Sequence, residues 1–99
     1  MPEIDREPSF ELIERSLSSR GRIRLLYLLA KHEMLNITSL AKEAHLSFEV
    51  TRRHLGNLLE LGIVEEHRLG RIRVFKLNKR HPITKKILTL FSLKEKERK

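Results

Sequence analysis

The strongest constraint on this chain is a change of hydrophobic period at Gly62. Between Phe48 and Leu61 the inward positions Thr51, Leu55, Leu58 and Leu59 recur at helical spacing. After Gly62 the pattern becomes two short alternating runs, Ile63 to Leu69 and Ile72 to Leu77, separated by Gly70-Arg71. A period near 3.6 followed by a period of 2 describes a helix that feeds a β-hairpin. Upstream, Ser39 to Ala44 is a short helical pattern, with His45-Leu46-Ser47 as a turn before the longer helix. From Ser39 to Leu77 the chain therefore reads as helix, turn, helix and hairpin.

Local chemistry supports these boundaries. Ser47 is a helix N-cap, and Gly62 suits the left-handed position after a helix because it has no Cβ. Gly70-Arg71 fits a two-residue hairpin turn led by glycine. The register that follows pairs Val64 with Leu77, Glu65 with Lys76 and Arg68 with Arg73. Like charges opposite each other across a ladder are destabilising, a cost that a bound phosphate would relieve.

The flanks complete one small domain. Residues 1–8, with Pro2, Pro8 and alternating charges, read as a flexible arm; residues 9–93 form the domain and 94–99 a charged tail. Phe10, Ile13 and Leu17 mark a helix after Pro8. Ser18 or Ser19 can cap a second helix over Arg20 to His32, whose apolar residues from Ile23 to Ala30 occupy nearly every side. Asn36-Ile37 can add a brief strand, with Thr38 as N-cap of the next helix. Pro82 opens a last helix to about Leu93 with Ile83, Ile87, Leu90 and Phe91 on one face. The fold class expected is mainly α with a small β-hairpin wing.

Charge narrows the partner. Lys and Arg total 21 against 13 Asp and Glu, a formal net charge of +8 in 99 residues. Residues 1–18 carry −3, so the remainder carries +11, and a polyanionic partner is the reasonable expectation. The chain has no cysteine, which removes disulfides, thiolate metal sites and a cysteine nucleophile. The five histidines form no i, i+4 pair, so no metal or other cofactor is expected. No stretch approaches the roughly 20 apolar residues of a bilayer span, and the acidic start does not resemble a signal peptide. A cytoplasmic location, with no membrane partner, is expected. The absence of Gln, with abundant Glu, Lys and Arg, resembles the composition of heat-adapted proteins.

With these elements in place, the run Leu40 to Leu77 resembles the winged helix-turn-helix core of the ArsR-like transcriptional regulators. The residues that carry the likeness are Leu40-Ala41, Arg53-His54-Leu55, Leu58 with Gly62-Ile63-Val64, and the basic wing Arg68, Gly70, Arg71. MarR-like and Lrp-like groups share the architecture. Two positions depart from the pattern: His45 stands where glycine is usual in the turn, and Thr51 where Val or Ile is usual in the recognition helix. The metal sensors of the family keep a cysteine pair on the helix before the turn, so metal sensing does not carry over.

The resemblance implies a recognition helix that enters the major groove of double-stranded DNA, where base edges carry distinct donor and acceptor patterns. With Thr51 and Leu55 inward, Phe48, Glu49, Arg52, Arg53 and Gly56 point outward. Arg52 and Arg53 are the favoured DNA contacts. Ser47 and the first amides of the helix can hold a phosphate. Phe48 can meet a thymine methyl or pack on a neighbouring helix, and His54 reads as a surface or capping histidine. Arg68, Arg71 and Arg73 can straddle the backbone or enter the minor groove.

A specific site is usually read by two recognition helices, so a homodimer is the economical model. Phe10, Ile13, Leu17, Ile83, Ile87, Leu90 and Phe91 offer its interface, and ArsR-like proteins pair through terminal helices. A twofold dimer would read half-sites about 34 Å apart. An enzyme is disfavoured: the one Asp lies at position 5, and there is no Ser-His-acid, P-loop or dinucleotide pattern. The alternatives are chromatin-like DNA binding with little sequence preference, and a winged helix used to bind protein or RNA.

Overall fold

A computed structural model describes residues 8–97; the expected arm at residues 1–8 lies outside the described residues except for Pro8, which opens a helix instead. The elements run α1 (Pro8–Ser16), α2 (Arg20–Lys31), β1 (Leu35–Asn36), α3 (Ile37–Ala44), α4 (Phe48–Glu60), β2 (Val64–Leu69), β3 (Ile72–Leu77) and α5 (Pro82–Glu97). This is a winged helix-turn-helix, mainly α with a small antiparallel sheet of order β1-β3-β2. Among the described residues no helix is long and apolar enough to cross a membrane.

The two helices of the motif end in the same way. In α3 the Leu46 N–H donates to Ala41 O at 2.9 Å and the His45 N–H to Lys42 O at 3.2 Å. In α4 the Ile63 N–H donates to Leu58 O at 3.1 Å and the Gly62 N–H to Leu59 O at 3.0 Å. Both are Schellman closures, which place the residue after the helix in the left-handed region. Gly62 takes φ +80° at no steric cost, whereas His45 is held at φ 58°, ψ 45°. The turn therefore keeps its shape with a histidine in the glycine position, and Arg24 donates to Ala44 O at 3.0 Å to satisfy a further carbonyl at the same helix end.

Thr51, the second departure, is fully buried, and its hydroxyl donates to Ser47 O at 2.8 Å. A polar atom in the core thus has a partner one turn away, so Thr fills the place of Val without an orphaned hydroxyl. Ser47 also caps α4, its Oγ accepting from the Val50 N–H at 3.1 Å. Leu55 and Leu58 continue the inward stripe against Leu25 and Leu26 of α2, Leu40 of α3, Ile63 and the sheet residues Val64, Phe75 and Leu77.

Several expectations are corrected at the flanks. The brief strand is Leu35–Asn36, not Asn36-Ile37, because Leu35 and Asn36 pair with Phe75 and Val74. Asn36 rather than Thr38 caps α3, its Oδ1 accepting from the Ser39 N–H at 2.8 Å. Helix α2 is not apolar all round: Gly21, Arg22, Leu25, Leu26 and Leu29 form its buried stripe while Ile23 is exposed. Ser19, one of the two candidate caps, accepts from the Arg22 N–H at 3.1 Å. Helix α5 runs on to Glu97, past the expected end at Leu93, so residues 94–97 of the expected tail are helical.

The hairpin has the expected register, including Val64 with Leu77, Glu65 with Lys76 and Arg68 with Arg73. Gly70 at φ +65° supplies the turn.

Replacing His45 by glycine should remove the left-handed strain and raise stability by up to ~1 kcal/mol, whereas His45→Val should lower it by ~1–2 kcal/mol. Denaturant midpoints of the two variants check this; equal midpoints would mean that the turn is not strained.

Candidate nucleic-acid interface

Burial of Thr51, Leu55 and Leu58 fixes the rotation of α4 about its axis. Ser47, Phe48, Glu49, Arg52, Arg53 and Gly56 all emerge exposed, as helical spacing predicts. Arg52 and Arg53 form no ion pair among the described residues. Phe48 is 54 % exposed and so stands at the surface rather than packing into the core. Gly56 lies on the same outer face with open space where a Cβ would stand.

The wing divides its side chains by strand parity. Val64, Glu66 and Arg68 on β2 and Leu77, Phe75 and Arg73 on β3 share one face, which begins in the core and continues outward beside α4. Leu69 and Ile72 pair across the tip on the other face, 57 % and 55 % exposed. Arg71 projects from the turn between them. Sequence reading missed this aliphatic tip, although the alternation of the two strands already puts positions 69 and 72 opposite each other.

The facing arginines are relieved from within the protein. Arg73 donates through Nε to the carboxylate of Glu66, diagonally across the ladder. That bond holds the Glu66 carboxyl below the usual carboxylate range and raises the Arg73 guanidinium above its ordinary value. The Glu66 carboxylate thus already offsets part of the Arg68–Arg73 repulsion that the sequence reading would have a bound phosphate relieve. Arg68, Arg71 and Lys76 are the wing cations without an ion pair among the described residues. Nearer the base of the wing, His67 Nε2 lies 2.9 Å from Glu65, a contact that lowers the Glu65 carboxyl.

His54 turns away from the outer face. The guanidinium of Arg22, only 8 % exposed, donates from Nε to His54 Nδ1 at 3.2 Å and from Nη1 to the Arg15 carbonyl at 2.6 Å. Since arginine can only donate, Nδ1 must accept, and the ring proton sits on Nε2, 3.4 Å from Ser19 Oγ. This contact ties the middle of α4 to the start of α2. Among the described residues no carboxylate pairs with Arg22. Desolvation first, then Arg15 and Arg53, push its guanidinium below its ordinary value. The sequence signal was available, because Arg22 falls on the same helical stripe as Leu25, Leu26 and Leu29. Gly21 belongs to the same junction: a Cβ there would meet His54 Nε2 and Leu46 at 3.2 Å.

The proposed dimer residues separate into two groups. Ile83 and Ile87 are each 4 % exposed and belong to the protomer's own core, so they are not interface residues. The rotation of α5 turns these two inward and leaves Leu90, 56 % exposed, on the outer side. Ile13, Leu17 and Phe91 pack partly against the core, and Phe10 is exposed. Phe91 meets Tyr27 of α2 edge to face with centroids 5.3 Å apart. No group of three or more His, Asp or Glu among the described residues could hold a metal ion.

This geometry, a helix with Arg52 and Arg53 on its exposed face, preceded by a capped turn and followed by a basic hairpin, is the winged helix-turn-helix fold of DNA-binding regulators. Residues 19–66 match the family model described as bacterial regulatory protein, arsR family. Over these residues the chain is similar to the winged helix-turn-helix regulators of that family. Its fold is similar to the transcriptional repressor PagR of Bacillus anthracis, at 22 % identity and TM-score 0.72, covering 89 % of this chain and 97 % of that one. Reduced HlyU from Vibrio cholerae is similar at 18 % identity and TM-score 0.74, covering 91 % and 93 %. A third is a homodimeric winged helix-turn-helix DNA-binding domain from Mycobacterium bovis, described as a possible ArsR-family transcriptional regulator. It has 20 % identity and TM-score 0.66, and the match covers 88 % of this chain and 78 % of that one. A search of curated protein sequences gives no match.

The His54 contact carries a pH signature. Burial, then the cations Arg22 and Arg53, hold its imidazole below the ordinary value of 6.5. In the window below pH 6.5 the unfolded chain therefore binds more protons at this site than the folded one, and stability falls as pH drops through that window. Ser19 and Arg15 are the other polar groups at the junction. His54→Gln, which keeps an acceptor for Arg22 but cannot titrate, should flatten this part of the stability profile. An unchanged slope would assign it to other groups.

Proposed function

We propose that this protein is a sequence-specific double-stranded DNA-binding transcriptional regulator that acts as a homodimer. In this reading α4 lies in the major groove and the wing, residues 63–77, follows the backbone or enters the minor groove. The observation that carries the proposal is the outer face of α4. Its buried stripe leaves Arg52 and Arg53 free and exposed beside Gly56, so two guanidinium groups can reach base edges or phosphates while the backbone approaches closely. Ser47 and the first amides of α4 supply a phosphate site at the positive end of the helix.

The wing adds positive charge through Arg68 and Arg71, while Arg73 is partly neutralised by Glu66. A wing that offers phosphate contacts contributes to all sequences alike, whereas base contacts from α4 discriminate. Chromatin-like binding would have the first property without the second. Arg52→Ala and Arg53→Ala should each weaken a specific duplex by ~1–3 kcal/mol where the contact is bidentate to a guanine. Arg71→Ala should weaken specific and scrambled duplexes equally and reduce the log–log salt slope by about 0.9 for one phosphate contact. Binding titrations at several salt concentrations check both. Equal losses on every duplex for all three variants would leave the chromatin-like reading.

A second reading rests on Leu69 and Ile72. Two aliphatic side chains more than half exposed at the wing tip are also what an interaction module would present. Leu69→Ser with Ile72→Ser discriminates: reduced duplex affinity places the tip on DNA, and unchanged affinity with loss of a protein partner places it elsewhere.

The homodimer would use α1 and α5, with Phe10, Ile13, Leu17, Leu90 and Phe91 at the contact. Light scattering should give twice the protomer mass of 11.7 kDa. Leu90→Lys, which puts a charge at the exposed centre of that face, should return the protomer mass with the fold intact. A wild-type protomer mass at micromolar concentration would reject the dimer.

A further inference from the structure

A groove runs between α4 and the wing, lined by Ile37, Phe48, Leu55, Leu59 and Phe75, with Arg52 and Arg73 at its rim and Gly56 on its helical side. Its volume is about 140 Å³, and its lining is mostly apolar. An enclosed apolar cavity of about 150 Å³ accepts one benzene ring. Space is kept open where a side chain on α4 would otherwise project, since a Cβ at Gly56 meets nothing within 4 Å. Phe48 offers an exposed aromatic surface at the mouth.

The rim selects charge. Arg73 is engaged through Nε by Glu66, so its charge is partly answered within the protein. Arg52 has no ion pair among the described residues and presents a planar fork of donors, the group best matched to a carboxylate. An apolar slot the size of one ring, with a free guanidinium at its edge, is complementary to a small aromatic carboxylate. We propose that this groove is an effector site for a single-ring aromatic carboxylate, with the ring against Phe48, Leu59 and Phe75 and the carboxylate on Arg52.

The inference deepens the DNA-binding reading and rests on it in one respect: Phe48, Arg52 and Gly56 are also the readout face of α4. Ligand and duplex then compete for the same side chains. Occupation of the groove releases DNA without any change of fold, because a guanidinium clamped on a carboxylate cannot also contact a base or phosphate. Competition sets a quantitative expectation. At a ligand concentration ten times its dissociation constant, the apparent Kd of the duplex rises about eleven-fold for each groove that must be empty, about 120-fold where both grooves of a dimer must be, and it keeps rising without a plateau.

The probe is benzoate, tested on the full chain by amide-resolved NMR titration and then in duplex competition. Benzoate should shift the resonances of Phe48, Gly56, Leu59 and Phe75 and bind at least about tenfold more tightly than acetate, which has the charge alone, or benzyl alcohol, which has the ring alone. Gly56→Leu should fill the slot and abolish these shifts; its thermal melt reports whether it folds. Arg52→Gln, at an exposed position, is the independent variant and should weaken benzoate to the level of benzyl alcohol. No saturable shifts, equal binding of acetate, or undiminished benzoate binding by Arg52→Gln would overturn the site. Benzoate binding with no rise in duplex Kd, or with a rise that reaches a plateau, would overturn the competition. If the wild-type protein binds no duplex at all, the DNA reading fails, and the NMR arm still decides the groove.

Discussion

The packing of one side of α4 is the constraint from which the rest of this molecule follows. Leu55 and Leu58 sit against Leu25 and Leu26 of α2, Leu40 of α3 and the base of the sheet, and Thr51 on the same helix is fully buried. Full burial of a leucine side chain stabilises by roughly 1.5–3 kcal/mol, so turning the helix by even one residue would expose two leucines and bury charged neighbours. The orientation of Arg52, Arg53 and Gly56 is thus set by the core and needs no contact of their own. The same stripe fixes the position of the wing, because the Schellman closure at Leu58 to Ile63 sends the chain directly into β2. A readout surface of exposed, unpaired side chains can be held in place in this way only by what lies behind it.

Those parts of the fold that depend on period and on single residues were legible in the sequence. The switch at Gly62 located the helix and the hairpin, and the glycine at position 70 with the alternation around it gave the register through to Arg68 and Arg73. His45 identified the site of backbone strain even though its type argues against the conformation it adopts. What was hidden depends on how helices rotate against one another. Ile83, Ile87 and Leu90 all fall on one apolar side of α5, yet the first two close the core and the third is exposed. Their sequence spacing is the same kind of signal in either place. Asn36 and Thr38 are both acceptable caps, and the pairing of Leu35 and Asn36 with β3 decides between them.

The polar part of the site was harder still, because its partners are remote in sequence or diagonal in the sheet. Arg22 and His54 are 32 positions apart, with β1 and α3 between their helices, and nothing local to either predicts that one accepts from the other. Arg73 faces Arg68 in the ladder but bonds to Glu66, a choice made by the reach of a long side chain rather than by register. Both cases turn an expected free cation or surface histidine into part of the protein's own framework. On the face of α4 and the wing, the arginines left without an ion pair are consequently Arg52, Arg53, Arg68 and Arg71, and Arg73 is engaged by Glu66.

Arg22 shows how this arrangement favours an anionic partner beyond its direct contacts. Arg22, nearly buried and held by a carbonyl and a neutral imidazole, has its guanidinium lowered by desolvation and then by the nearby cations Arg15 and Arg53. A carboxylate in place of His54 would stabilise the isolated protein but would cancel that charge just behind the recognition helix. With a neutral acceptor the hydrogen bonds are retained and the field is not. The repulsion among these cations is a cost in the free protein, and a phosphate backbone brought to the outer face of α4 reduces it. In the proposed DNA complex, part of the attraction would therefore come from relief of a repulsion already present in the fold, beyond the residues in direct contact.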